Sequence, residues 1–183
     1  MKRTLMLLSL LAVVVPAAAF ANGEPMVGGQ LMFPTRDIVD NAVNSADHTT
    51  LVAAVKAADL VATLKGPGPF TVFAPVNDAF KDLPAGTVET LLKPENKAML
   101  TRILTYHVVP GRLTAAELRR LIKAGKGTAT LKTVSGGMLW AMMNGPSNIV
   151  IKDEMGNVSD ISTYDVTQAN GVIHVIDRVA LPK

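Results

Sequence analysis

Cysteine is absent from all 183 residues. That absence excludes a disulfide framework, a thiolate metal site, a CxxC redox centre and a cysteine nucleophile. The fold must therefore rest on its core, and a domain of this length buries on the order of 70% of the surface its unfolded chain exposes. Aromatic residues are scarce: 5 Phe, 2 Tyr and 1 Trp give 4% of the chain, few platforms for stacking bases or sugars. An excess of one charge is also missing. Lys2 and Arg3 supply two units of the formal +3, and without them 16 basic residues face 15 acidic ones. So balanced a chain steers nothing toward nucleic acid. His48, His107 and His174 have no HxH or HxxxH spacing, so the sequence carries no zinc signature, and neither a metal nor a cofactor is expected. No GxSxG elbow is present for a serine hydrolase. Gly125-Lys126-Gly127 lacks the first glycine and the Ser/Thr of a phosphate loop and reads as a helix stop followed by a turn.

Long apolar runs are confined to the N-terminus. Met1-Lys2-Arg3 is basic, Leu5 to Val15 is apolar apart from Ser9, and Ala19-Phe20-Ala21 has the small-x-small form cut by signal peptidase. These features predict a signal peptide over residues 1–21 and a product secreted to a periplasm or outside the cell. The apolar run is shorter than the roughly 20 residues a spanning helix needs, and nothing after it reaches that length. No membrane span is expected after cleavage. Residues 22–34, with Gly23, Pro25, Gly28, Gly29 and Pro34, lack periodicity and read as a flexible leader, with order beginning near Thr35 and one domain over residues 35–183.

Within that domain, Ile38, Val39, Ala42 and Val43 recur at helical spacing, as do Leu51, Val52 and Val55 after a polar break. Gly66-Pro67-Gly68-Pro69 ends the helical stretch, and Phe70 to Ala74 is a buried-strand pattern stopped by Pro75. Asn77 and Thr87 each stand where they can cap a short helix. Met99, Leu100, Ile103 and Leu104 form the stripe of a helix ending near Tyr106, followed by an extended Val108-Val109. Thr114 and Glu117 make a capping box before Leu118, Leu121 and Ile122. From Gly127 onward come short β-prone runs, Thr128–Val134, Leu139–Met143, Ile149–Lys152, Val158–Val166 and Val172–Ile176, punctuated by glycine turns. Helices first and a largely antiparallel sheet second is an α+β order.

Two segments are more specific than periodicity. Thr71-Val72-Phe73-Ala74-Pro75-Val76-Asn77-Asp78-Ala79-Phe80 and Asn170-Gly171-Val172-Ile173-His174-Val175-Ile176-Asp177 resemble the two signature motifs of the fasciclin domain. Tyr106-His107-Val108-Val109 between them resembles that family's Tyr-His motif. The likeness runs over roughly residues 35–183, and the chain is similar to small secreted single-domain bacterial members. The resemblance implies a wedge of β-strands with several helices packed around it. It also implies a non-enzymatic role in adhesion or in contacts with a protein, matrix or cell-envelope surface. In animal members adhesion is attached to the Tyr-His segment and to an Asp followed by an aliphatic residue before the second motif. The matching positions here are Tyr106, His107, Asp165 and Val166, with Val where Ile is usual.

One strand departs from the family pattern. In Met138–Met143, Leu139, Ala141 and Met143 share one face and Met138, Trp140 and Met142 the other, so both faces are apolar where family members usually carry polar residues on the second. That second face is either covered by another element or an exposed patch for a partner or for self-association, centred on Trp140. An alternative function is a periplasmic carrier or sensor that holds a small apolar ligand between helices and sheet, with the Met-rich strand as its lining.

Overall fold

The structure, a computed structural model, describes residues 24–183. The segment read as a signal peptide lies outside them. Two short strands, β1 (Met26–Val27) and β2 (Gln30–Leu31), pair antiparallel across Gly28-Gly29. Here the expectation of a flexible leader up to residue 34 is corrected, because Val27 and Met32 are buried in the core. Two-residue strands are too short to show a period, and Gly-Gly supplies the positive φ such a turn needs. A Cβ on Gly28 would stand 2.4 Å from Ser45 Oγ, so the hairpin is seated directly on the polar break.

Helices α1 (Ile38–Ala42), α2 (Thr49–Ala57) and α3 (Val61–Leu64) follow, with a 3-10 turn over Ala46–His48 at that break. Next come β3 (Phe70–Pro75), α4 (Asn77–Lys81), α5 (Thr87–Leu91), α6 (Lys97–Tyr106), β4 (Val108–Pro110) and α7 (Ala115–Ala124). The chain ends in β5 (Thr128–Lys132), β6 (Met138–Asn144), β7 (Asn148–Lys152), β8 (Val158–Gln168) and β9 (Gly171–Ile176). Two caps differ from expectation. Asn77 does not cap the helix it opens; its Oδ1 accepts from Thr50 N at 3.0 Å, satisfying an orphan donor of α2 instead. Gly86, at φ +80, precedes α5, and Thr87 is already helical. At α7 the expected cap forms, with Glu117 N donating to Thr114 Oγ1 at 3.3 Å. The Glu117 carboxylate pairs with Arg120 rather than closing the box.

Seven strands form one sheet in the order β4-β3-β9-β8-β7-β6-β5. The pair β3–β9 is parallel, from Phe70 opposite Gly171 to Pro75 opposite Ile176; the other pairs are antiparallel. Both signature motifs thus meet at the centre of the wedge. Parallel strands need both faces covered, and these have it. Val72, Ala74, Ile173 and Val175 face a core shared with α1–α3 and α6. Phe73 and Ile176 face a second core with α7 and β5–β7. Each fully buried Leu, Ile or Phe in these cores contributes about 1.5–3 kcal/mol.

The motifs' polar residues tie this centre together. Asn170 Oδ1 accepts from Ile38 N at 3.0 Å, while its Nδ2 donates to Leu64 O at 2.7 Å and Gly66 O at 2.9 Å. A Cβ on Gly171 would stand 2.2 Å from Phe70 O, so only glycine permits this approach of β9 to β3. Thr71 Oγ1 donates to Gly111 O and accepts from Leu113 N.

Candidate functional site

The residues named from the sequence fall into three settings. Tyr106 and His107 end α6 and are buried. Tyr106 OH donates to Met138 O at 2.6 Å and accepts from Glu154 N at 2.9 Å, and burial pushes its pKa up to about 12. His107 Nδ1 meets Ile103 O at 2.8 Å, and its Nε2 accepts from Ala180 N at 2.9 Å. That pairing makes the ring the neutral Nδ1–H tautomer, and burial holds its pKa below the ordinary histidine value. A protein surface cannot reach either ring in the folded protein. The reading of this pair as an adhesive surface is therefore corrected: the two side chains fasten α6 to β6 and to the C-terminal segment.

Asp165 and Val166 separate from one another. They lie at a bulge in β8, where the pairing with β9 shifts register between Thr163 and Val166. Asp165 is exposed, at φ +56, a left-handed conformation that Asp tolerates better than most residues. One carboxylate oxygen accepts from Ala115 N at 2.7 Å, at the positive end of α7. Val166 points the other way into the core, 1% exposed, and offers nothing to a partner.

The third setting is β6. Its inner face, Leu139 and Ala141, lies in the same core as Leu118 and Ile122 of α7. Met138, Trp140 and Met142 occupy the other face and are half-buried, neither covered like the inner face nor fully exposed as a free patch would be. The ladder explains why. Trp140 stands opposite Thr130 of β5 and Lys152 of β7, and Met142 opposite Thr128 and Val150, so neighbouring side chains shield their flanks. Trp140 and Met142 border an open hollow of about 500 Å³ together with Lys152, Glu154, Met155 and Lys183. Met155 is 58% exposed. It sits in the turn between β7 and β8, beside Gly156, where no strand period marks it from the sequence.

This face is tied to the first setting. The Tyr106 ring lies beneath Gly137, where a Cβ would stand 2.7 Å from Cε2, and its hydroxyl fixes Met138 O. Glu154 accepts from Met138 N at 2.9 Å and from Lys183 N at 3.0 Å, and this contact lowers its pKa. The structure does not bring Asp165 to this group: β8 pairs with β7 only over Val158–Asp160, and Asp165 lies beyond, beside β9. Among the described residues there is no group of three or more His, Asp or Glu placed to hold a metal ion.

The seven-stranded wedge, its central parallel pair and the motifs packed there have a counterpart among known proteins. A model of the fasciclin domain matches residues 46–182. The chain belongs to the fasciclin-domain family. Protein sll1483 of Synechocystis sp. is 49% identical over 146 residues, covering 79% of this chain and 73% of that protein. Immunogenic protein MPB70 of Mycobacterium bovis is 34% identical over 171 residues, covering 91% of this chain and 78% of its own length. A solved FAS1 domain pair from the insect cell adhesion molecule fasciclin I superimposes with a TM-score of 0.69 at 19% identity. It covers 80% of this chain, and this chain spans about half of it, 51%. That likeness establishes the fold, an α+β fasciclin wedge.

The strand residues of the two signature motifs are internal in this protein, while Asp78 and Asp177 at their ends are exposed. His174 Nε2 meets Leu113 O at 2.7 Å, its ring stacks on Phe73, and burial lowers its pKa. The apolar strands of the two motifs thus mark how the wedge is built. No helix among the described residues is long and apolar enough to cross a membrane.

Proposed function

We propose that this fasciclin domain is a secreted, non-enzymatic binding module that contacts a protein or cell-envelope surface through the outer face of β6. One observation carries the reading: the antiparallel strands β5–β8, whose inner face is covered by α7, nonetheless present Met138, Trp140 and Met142 on their outer face. A half-solvated sheet face is ordinarily polar. Tryptophan anchors interfaces and thioethers adapt to irregular partners. The rim supplies Lys152 and Lys183 for orientation. Adhesion in the insect relative, a cell adhesion molecule by name, agrees with this class of role. Asp165, with an exposed carboxylate, is a second contact.

The settings of the three histidines support a non-enzymatic role. His107 and His174 are each committed to backbone partners, and His48 Nδ1 meets Ser45 Oγ at 2.8 Å with both side chains buried. None stands free in a cleft beside a carboxylate.

The test is sedimentation of the chain from Asn22, alone over a wide concentration range and with cell-envelope fragments, comparing wild type with Trp140→Thr. Self-association or envelope retention that Trp140→Thr abolishes supports the reading. Wild type and variant that behave identically in both formats refute it.

A further inference from the structure

The helical side of the wedge contains a cleft that no side chain of the described residues fills. It lies between α2, α4, α5, α6 and the C-terminal segment and has a volume of about 270 Å³. Apolar side chains such as Leu51, Leu91, Met99, Leu100 and Leu181 line it, and only Thr87 and His107 add polar groups. Both ring nitrogens of His107 are already paired. Behind it a smaller apolar cavity of about 50 Å³ shares Leu51, Leu104 and His107. In front, an open hollow of about 550 Å³ shares Phe80, Leu83 and Pro84 and adds Thr49, Thr50, Asn77, Lys81 and Glu89. The cleft therefore sits between a dry end and a wet one.

Its outer wall is unfinished. Helix α5 contributes no fully buried residue, and Leu91 and Leu92 only lean on the core. Met99, at the rim, is 58% exposed. Side chains around a void lose dispersion contacts on one side, and an apolar cavity of about 150 Å³ stays dry yet takes up a small apolar molecule. A peptide does not suit this cleft. Its N–H and C=O groups would find no partners there, and a helix with its side chains is about 10 Å across. A slender chain with one polar end matches the sequence of apolar cavity, apolar cleft and polar hollow.

We propose that this cleft binds a single-chain amphiphile, with its hydrocarbon chain under α5 and its polar head in the hollow edged by Thr49, Thr50 and Lys81. Notably, the Met-rich strand takes no part: Met138 and Met142 line neither apolar cavity. The proposal does not depend on the Trp140 face.

The probe is dodecanoate, below its micellar concentration, followed by titration calorimetry and native mass spectrometry, with hexanoate as the short-chain comparison. Leu91→Trp fills the cleft, and Leu91→Asp places a charge in it; α5 buries nothing fully, so both variants retain their cooperative unfolding. The expected result is one dodecanoate per chain, much weaker hexanoate binding, and affinity lowered about tenfold or more in both variants. No saturable binding by wild type, several equivalents bound per chain, or affinity unchanged in both variants would overturn the proposal.

Discussion

On one side of the β3–β9 pair, α7 closes over β5–β7 and leaves Leu118, Leu139, Ala141, Ile149 and Ile176 with no solvent exposure. On the other side, α5 adds no fully buried residue, and the cleft beneath it stays open at about 270 Å³. The difference follows from the elements used. A ten-residue amphipathic helix with a working cap, α7, presents Leu118 and Ile122 on one face and fills its groove. Helix α5 has five residues, and so short a helix has no stability of its own and takes whatever position its neighbours permit. Packing beneath α7 is therefore tighter than packing beneath α5. The helical side is correspondingly free to accommodate a guest.

The sharpest way to break that comparison is to truncate a leucine on each side. Leu139→Ala is expected to lower the unfolding free energy by about 3 kcal/mol or more, and Leu91→Ala by less than about 1 kcal/mol. Urea denaturation measures both, and equal losses would erase the contrast.

Acid gives the next effect. Burial lowers the pKa of His48, His107 and His174 in the folded state. Each is neutral when folded and takes up a proton when unfolded, so stability is complete above the unfolded value of about 6.5 and falls as pH drops below it. The slope is at most about 1.4 kcal/mol per pH unit for each histidine. His107→Gln removes one of these titrating groups and should flatten the profile. An unaltered profile in that variant would mean the histidine is not protonated on unfolding.

The smallest effect separates structure from recognition at Asp165. Asp165→Ala loses the acceptor for Ala115 N and adds strain at φ +56, a cost of about 1 kcal/mol. Asp165→Asn keeps the acceptor and tolerates the backbone, so thermal melts should place it near wild type. A binding defect in Asp165→Asn with unchanged stability would assign the charge to the partner.

Much of this architecture was legible in the sequence where a local rule acts alone. The stripe Leu118, Leu121 and Ile122 after Thr114 specified α7, and the glycine turns after Gly127 separated the terminal strands. Long-range pairing was not legible. Nothing in Phe70–Ala74 states that it lies parallel to residues a hundred positions later, and the side chain of Asn77 serves a neighbouring helix rather than its own. The candidate site divided along the same line. Alternation on β6 correctly grouped Met138, Trp140 and Met142, because a strand's period fixes its faces. Burial of Tyr106 and His107 depends on what packs over the end of α6, β6 and the C-terminal segment, and local sequence does not encode it. Val27 and Met32 became core residues for the same reason, through contacts far from them in the chain.

Native-state hydrogen exchange, resolved by residue, tests the contrast between the two sides most directly. The amides of α5 are expected to exchange through local opening, far faster than those of β6 and β9, which open only with global unfolding. Dodecanoate should slow α5 and leave β6 unchanged. Protection of α5 equal to that of β9 in the free protein would contradict the account.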